Sequence, residues 1–538
     1  MLSKSNPSDA APLSIRERGL RLLRPSHQHS AYSATLLLMS AVMASRILAY
    51  GREAYIAYAF GAGAQTDAYV AAFTLPDWLN YIVAGGATSI TFITIYTRFL
   101  AEKREEEAAK TYSVILTVMT TVLVVGTALA EVFTPQFVGW MFGGFTPQQV
   151  ELCAHLTRIL LPAQIFFYAG GIFAAVLLSH RMFLFPAIGP LLMNVCVIGG
   201  GLLGARHWGI SSLAYGSVAG AFLGPLLINA IAARRVGPAY RISFDIKNPG
   251  FREWVGLSLP LMLGVSLVSA DDWILRYFAS GSVGDIARLN YAKRLLMVPI
   301  GVLGLATGQA SMPFFARLFG EKRMQEFAAT VNESVYRVTA VSLLAAAWMM
   351  AASLPLIDLV YRRGHFLFSD SRETANYFFL FSVSLAFWSA QAIYARAFYS
   401  AGDTRTPMVA VTMITAASLA VYSALFHQFS VAGLAAASDI GIAANAFALA
   451  ILLGRKRLVP LRGFPWSEFA RVLLTAALAF MISREVARVV PVDGSRKADF
   501  LALGLISVTW AGGVAGGLWL LRSNLLRDLR NRRLPAKG

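Results

Sequence analysis

Charge is scarce in this sequence: only 14% of its residues are charged, and 47 of those are Lys or Arg against 29 Asp or Glu. A soluble domain carries about 25% charged residues, so a water-surrounded globule is excluded. Cysteine is nearly absent; Cys153 and Cys196 fall in or beside apolar runs and are too few for a disulfide framework. The seven histidines are scattered, and no HExxH-type spacing occurs, so no metal centre is expected. Short strands of alternating polarity are lacking, which removes a β-barrel. What the chain has in abundance is hydrocarbon: 57% of residues are hydrophobic and the mean hydropathy is +0.58. Apolar segments recur from residue 32 to about 521, many exceeding the roughly 20 residues that span a bilayer. The fold expected is an all-α polytopic membrane protein.

About 14 transmembrane helices are expected, at 32–60, 65–99, 111–137, 149–180, 184–205, 208–234, 253–279, 283–318, 327–352, 374–400, 406–427, 430–454, 467–489 and 499–521. The formal charge of +18 invites a nucleic-acid reading, but its distribution says otherwise. With the N-terminus inside, the inner segments hold 29 Lys and Arg and the outer segments eight. That bias is the positive-inside rule and places both termini in the cytoplasm. The charge is topology information, and no nucleic-acid partner is expected. The first 31 residues are polar and basic without an apolar core, which reads as a tail rather than a signal peptide.

A weak internal repeat runs at an offset of about 220 residues. "AVLLSHRMFLFPAI" (175–188) aligns with "RAFYSAGDTRTPMV" (396–409), setting Ser179 over Ser400 and Pro186 over Pro407; "GAQTDA" (63–68) aligns with "GSVGDI" (281–286). Six spans separate the copies, so the repeats are parallel. The organisation expected is a basic tail (1–31), an N-lobe of six helices (32–236), a pseudo-symmetric C-lobe of six (237–455), two further helices (456–521) and a second basic tail (522–538). Two facing lobes form a transporter architecture with the substrate between them.

An ionisable side chain at the bilayer centre costs roughly 2.5–3.5 kcal/mol on insertion scales, so those present are functional candidates. "SRILAYGREAYIAYAFGAGAQTDA" (45–68) carries Arg46, Arg52 and Glu53 and reaches Asp67 after a glycine loop. At about 100° per residue Arg46 and Glu53 share a face while Arg52 points roughly 120° away. A bend at Gly51 would let all three serve one cavity; alternatively Arg46 and Glu53 neutralise each other. In "DDWILRYFASGSVGDIARLNYAKR" (271–294), Asp272 and Arg276 are four apart and Asp285 and Arg288 three apart, spacings that suit structural pairs. Lys293 and Arg294 lie ten or more residues into a span without an acidic neighbour at either spacing. Arg294 is the stronger candidate; Lys293 snorkels or faces the other lobe. The fixed charge and planar fork of arginine suit phosphate, so the cargo expected is anionic.

These residues also carry a resemblance. "SRILAYGREAYIAYAFGAGAQTDAYVAAFTLPD" resembles the first two helices of the MurJ/MviN family of lipid II flippases, within the multidrug/oligosaccharidyl-lipid/polysaccharide exporter superfamily. "YAKRLLMVPIGVLGLATGQASMPFFARL" (291–318) resembles its eighth helix and "RAFYSAGDTRTPM" (396–408) the start of its eleventh. The likeness is collinear from about residue 35 to the end. It implies a monomer in the bacterial cytoplasmic membrane that moves lipid II, the undecaprenyl-pyrophosphate-linked peptidoglycan precursor, from the inner to the outer leaflet, with no cofactor and no enzymatic step. By motif, Ser45, Arg46, Arg52, Asp67 and Arg294 match polar cavity positions, the arginines being those assigned to the headgroup. The last two helices are similar to those that form a groove for the lipid tail. Departures follow "LPDWL": Asn80 stands where the family commonly has arginine, Gly85 where it often has glutamate, and Asp77 replaces a usual asparagine. They leave another anionic polyprenyl-linked glycan open as cargo. Members with a sodium site use a carboxylate on the seventh helix and polar groups nearby; Asp272 matches the first approximately and Asp439 could contribute, so sodium is a possible coupling cation.

Other classes fit less well. A drug/cation antiporter favours an acidic cavity, opposite in sign to Arg46, Arg52 and Arg294. A membrane enzyme needs paired carboxylates for a metal or a placed general base, and the Asp271–Asp272 pair inside a span is weak support for one. The charge bias makes a direct prediction. A cysteine reporter at Ser369 should label from outside the cell and one at Glu106 should not; the reverse pattern would overturn the topology.

Overall fold

The computed structural model describes residues 31–84, 87–262, 267–490 and 495–525. Gly85 and most of the two basic tails fall outside them. Helix follows helix along the chain: α1 (Ala31–Phe60), α2 (Ala64–Ala72), α3 (Thr74–Ala84), α4 (Ala87–Ala101), α5 (Glu105–Met141), α6 (Pro147–Leu160), α7 (Ala163–Ser179), α8 (Leu184–Trp208), α9 (Ser211–Ala221) and α10 (Asn229–Val236). Then come α11 (Pro249–Met262), α12 (Leu267–Ala279), α13 (Asp285–Pro299), α14 (Thr307–Gly320), α15 (Met324–Ala351), α16 (Ser353–Tyr361), α17 (Phe368–Val383), α18 (Leu385–Ser400), α19 (Arg405–Arg455), α20 (Trp466–Val489) and α21 (Arg496–Leu520). Among the described residues no strand occurs, and each of the fourteen spans read from the sequence coincides with helix. Nine helical stretches there are long and apolar enough to cross a membrane by themselves. The protein is a multi-pass membrane protein.

Proline accounts for two of the departures from regular helix. Seven residues of π-helix, Phe222–Ile228, contain Pro225, and a second π segment, Ile300–Ala306, follows Pro299 directly. Proline supplies no N–H and crowds the carbonyl four residues back, so the hydrogen-bond register loosens there. Helix α19 breaks at Ser430, whose φ is 54°, and so forms two of the expected spans. Helix α1 by contrast runs unbroken through Gly51.

The chain divides into two compact units. The first comprises Met1–Arg52, Leu75–Thr134 and His155–Leu263. Its core joins Phe92, Tyr96 and Phe99 of α4 to Tyr112 and Leu123 of α5, Tyr168 and Ile172 of α7, and Trp254 of α11. Small residues set its closest approach: a Cβ on Gly170 would fall on the backbone of Pro225 and Leu226, so α7 lies directly against the π segment. The second unit comprises Glu53–Thr74, Pro135–Ala154 and Gly264–Gly538. Its core gathers Phe315, Phe327, Tyr336, Ile393, Phe398, Leu449, Phe464 and Leu518 from α14, α15, α18, α19 and the α20–α21 region. Helix α21 is tied to α15 by the Trp348 indole N–H on Ser507 Oγ (2.9 Å) and the Trp510 N–H on the Leu344 carbonyl (2.9 Å). Segments 53–74 and 135–154, which the repeat assigns to the N-lobe, group with this second unit.

Two of the aligned positions share local geometry. Ser179 ends α7 and Ser400 ends α18, and each hydroxyl donates to the carbonyl four residues back, at 2.9 and 2.8 Å. Pro186 and Pro407 each occupy the third position of the next helix, where a missing N–H is harmless. The second of these connections carries a clasp. Asp403 accepts from the Thr406 N–H (3.0 Å), the Thr406 hydroxyl (2.7 Å) and the Lys456 ammonium (2.5 Å). Partial burial alone would raise the Asp403 carboxyl, but Lys456 and Thr406 outweigh it and hold it at about 2. The unfolded value is about 3.9, so the clasp stabilises fully above about pH 4 and is lost as pH falls through about 2. The difference in thermal midpoint between wild type and Asp403→Asn should therefore shrink as pH is lowered from about 6 to about 3. A difference that stays constant with pH would rule the clasp out.

Candidate functional site

In the first unit, Ser45, Arg46 and Arg52 lie on α1 and Asn80 on α3. Ser45 and Arg52 are seven apart and share a face, and a buried residue of α8, Asn194, meets both. Its Oδ1 accepts from Arg52 Nη1 at 3.1 Å, and its amide donates to the Pro190 carbonyl at 2.9 Å and to the Ser45 carbonyl at 3.5 Å. Asn194 went unremarked in the sequence; a lone asparagine in the apolar "LLMNVCVIGG" was its signal. Arg46 is exposed and forms no ion pair among the described residues, and Asn80 is half-buried. Glu53, on the Arg46 face of the helix, is buried.

In the second unit the geometry is set by the start of α13. Gly284 precedes it with φ 88°, a left-handed conformation that favours glycine, and a Cβ there would lie 2.7 Å from the Ala62 carbonyl. Asp67 of α2, fully buried, accepts from the backbone N–H groups of Gly284 and of Ala287 (2.8 Å). A helix N-terminus leaves four such donors orphaned, and the carboxylate satisfies two while complementing the helix dipole. The same end is braced by Arg288, which reaches Asp285 (3.2 Å), Asp370 (2.8 Å) and Glu373. The pair of Asp285 and Arg288 read from their spacing is thus present. Asp67 holds this helix in place; its carboxylate is taken up by backbone.

Two to three turns further along α13, Lys293 and Arg294 meet α12. Lys293 is buried, and its ammonium lies between the carboxylates of Asp271 and Asp272. Asp271 also accepts from the hydroxyls of Tyr422 and of Ser438 (3.0 Å), which stand on α19 on either side of its break. Arg276 is buried and donates to Thr74 Oγ1 at 3.0 Å. A cavity opens here, lined by Asp272, Arg276, Asn290, Lys293 and Arg294 among apolar neighbours. Arg294 is exposed and makes no ion pair among the described residues. A second, smaller cavity lies behind the ion pair, lined by Asp271, Trp388, Ser418, Tyr422 and Ser438. Asp439, next along α19, is half-buried with one carboxylate oxygen lacking a hydrogen-bond partner among the described residues. There, too, no three His, Cys, Asp or Glu residues converge as metal ligands. Of the candidates named from sequence, Arg294 and Asp272 share the cavity, and Ser45 and Arg52 share Asn194. Arg276 and Lys293, read from sequence as a structural pair member and a snorkelling residue, join the cavity lining, as does Asn290, which the sequence did not single out.

A membrane-spanning helical chain whose cavity carries three cations beside one carboxylate has the construction of an exporter for anionic cargo. Solved structures agree on the fold. The inward closed conformation of a lipid II flippase MurJ superposes with a TM-score of 0.76 at 19% identity, covering 92% of this chain and 99% of that one. An inward-facing multidrug resistance MATE family transporter of the MOP superfamily gives 0.62 at 14% identity, covering 79% and 98%. A family model described as lipid II flippase MurJ matches residues 56–490. The probable lipid II flippase MurJ of Rhizobium tropici is 26% identical over 424 residues, 77% of this chain and 79% of the relative. The lipid II flippase MurJ of Burkholderia cenocepacia is 27% identical over 466 residues, 83% and 88%. These matches define a transporter, not an enzyme. The chain belongs to the MurJ family of lipid II flippases.

The two kinds of charge found here should separate on mutation. Asp67→Ala leaves two buried N–H donors without their acceptor and should lower stability by about 2–3 kcal/mol. Arg294→Ala removes an exposed side chain and should stay within about 0.5 kcal/mol of wild type. Thermal unfolding of the two variants in detergent checks this, and equal losses would contradict the assignment.

Proposed function

We propose that the chain carries lipid II across the bacterial cytoplasmic membrane from the inner to the outer leaflet, as a monomer with both termini in the cytoplasm. The single observation that carries the reading is the cavity within membrane-spanning helices that presents the exposed Arg294 beside Arg276 and the Lys293–Asp272 pair. A sugar-pyrophosphate head cannot enter hydrocarbon unaided, because its charges and hydroxyls would lose hydration. Arg294 offers the pyrophosphate a planar fork. The prenyl tail stays in lipid, against the apolar surfaces of α20 and α21, where Leu474, Met481, Leu501 and Val508 are exposed. Alternating access then exposes the head to each side in turn. Asp67 positions this machinery through the N-terminus of α13; in the first unit, Ser45 and Arg52 share Asn194. A second reading, another anionic polyprenyl-linked glycan, is favoured by the departures at Asn80, which removes a cation the family commonly has, and at Gly85.

The test combines cells and variants. Depletion of the protein from cells without a redundant flippase should leave lipid II inaccessible to an outer-leaflet probe. Arg294→Ala should not restore access, and Arg294→Lys should restore it only in part, because an ammonium cannot make the bidentate phosphate contact. Undiminished access after depletion would reject lipid II as the cargo, and full activity of Arg294→Ala would reject the site.

A further inference from the structure

We infer that Lys293 is a built-in counter-ion: its ammonium fills the position a coupling cation such as sodium would take beside Asp271 and Asp272, so these carboxylates bind no free sodium. The family resemblance pointed to a sodium site on the seventh and later helices, with Asp272 and Asp439 as ligands. The donor set in this chain does not fit one. Asp271 has both oxygens engaged by donors: Tyr422 on Oδ1, and Ser438 and Lys293 on Oδ2. Asp272 gives Oδ1 to the same ammonium. A sodium ion needs several converging oxygen lone pairs, and here both oxygens of Asp271 and Oδ1 of Asp272 already face O–H and N–H groups, while the Asp439 oxygen without a partner is a single ligand.

Charge leads to the same conclusion. Around the site stand Asp271, Asp272 and Asp439 and the neutral hydroxyl of Tyr422, against Lys293, Arg276 and Arg294. Three cations face at most three carboxylates, so no uncompensated negative charge is left to draw in another cation. A unit charge about 4 Å away at an effective dielectric near 20 weakens binding of a second cation about a thousandfold. The bridge also has a mechanical role. Lys293 ties α13 to α12, and through Asp271 to both halves of α19, the same elements a bound ion would draw together. A covalently held cation does this permanently, without depending on a sodium gradient.

The inference concerns ion binding and is independent of which lipid is carried, so its failure would leave the flippase reading standing. Full-length protein in detergent is melted in sodium chloride and in N-methylglucamine chloride at equal ionic strength. Wild type and Lys293→Arg should show the same midpoint in both salts. Lys293→Ala uncovers two carboxylates, and its midpoint should rise saturably with sodium. The triple variant Lys293→Ala/Asp271→Asn/Asp272→Asn should lose that response. A saturable sodium response in wild type, or none in folded Lys293→Ala, would overturn the inference. Titration of wild type with sodium chloride in a calorimeter decides the matter even where Lys293→Ala cannot be recovered: saturable heat rejects it, and dilution heat alone upholds it.

Discussion

A charge placed among membrane-spanning helices must be offset, and the second unit is organised around how that is done at Asp271. Desolvating a carboxylate or an ammonium costs several kcal/mol, returned only when partners complete its hydrogen bonds. Asp271 meets the requirement with donors from three places: Lys293 of α13, Tyr422 before the break in α19, and Ser438 after it. The break at Ser430 lies between the two hydroxyl donors, so both halves of α19 are referred to one carboxylate. The same Lys293 reaches Asp272, which lines the larger cavity. One ion pair therefore fixes three elements and forms the wall between a cavity suited to anionic cargo and a smaller pocket behind it.

The start of α13 repeats the principle with backbone in place of side chain. Its N–H groups at Gly284 and Ala287 are satisfied by Asp67 from α2, and Arg288 spreads its charge over Asp285, Asp370 and Glu373. Tyr377 adds a hydroxyl to Asp285 at 2.9 Å. With its first turn pinned on several sides, α13 presents Lys293 and Arg294 at a fixed depth. Eight or nine residues of helix rise place them about 12–13 Å beyond the pinned end. Precision at the cavity is thus inherited from contacts more than two turns away.

The spans were legible because hydrophobic length is a local, additive signal. So were the Asp285–Arg288 pair, three residues apart on one helix, and the paired helix ends at Ser179 and Ser400. Arg294 could be picked out as a cavity residue because no acidic neighbour stood within a turn of it. That local rule failed for Lys293. Its partners are 21 and 22 residues back, across a hairpin, and spacing along one helix is blind to them. Spacing along the helix also could not show that Arg276 donates to Thr74, 202 residues away in sequence. Asp67 matches a cavity position by motif; that its carboxylate is taken up by the N-terminus of another helix depends on tertiary contact alone. Asn194 escaped for the same reason.

What separates working charges from structural ones is whether the protein itself completes them. Lys293, Arg288 and Asp67 are closed by partners on neighbouring elements, and each closure stabilises the fold. Arg46 and Arg294 are exposed and make no ion pair among the described residues, although each lies on a helix whose surroundings are apolar. An arginine near the bilayer centre without a protein partner carries an insertion cost of roughly 2.5–3.5 kcal/mol, and water in a cavity can relieve only part of it. Guanidinium is weakly hydrated and rigid, so the partner that relieves the rest best is a planar or tetrahedral oxyanion delivered by the cargo. A guanidinium that the fold leaves without an ion pair in this way selects for negative charge before it selects for any finer feature of a ligand.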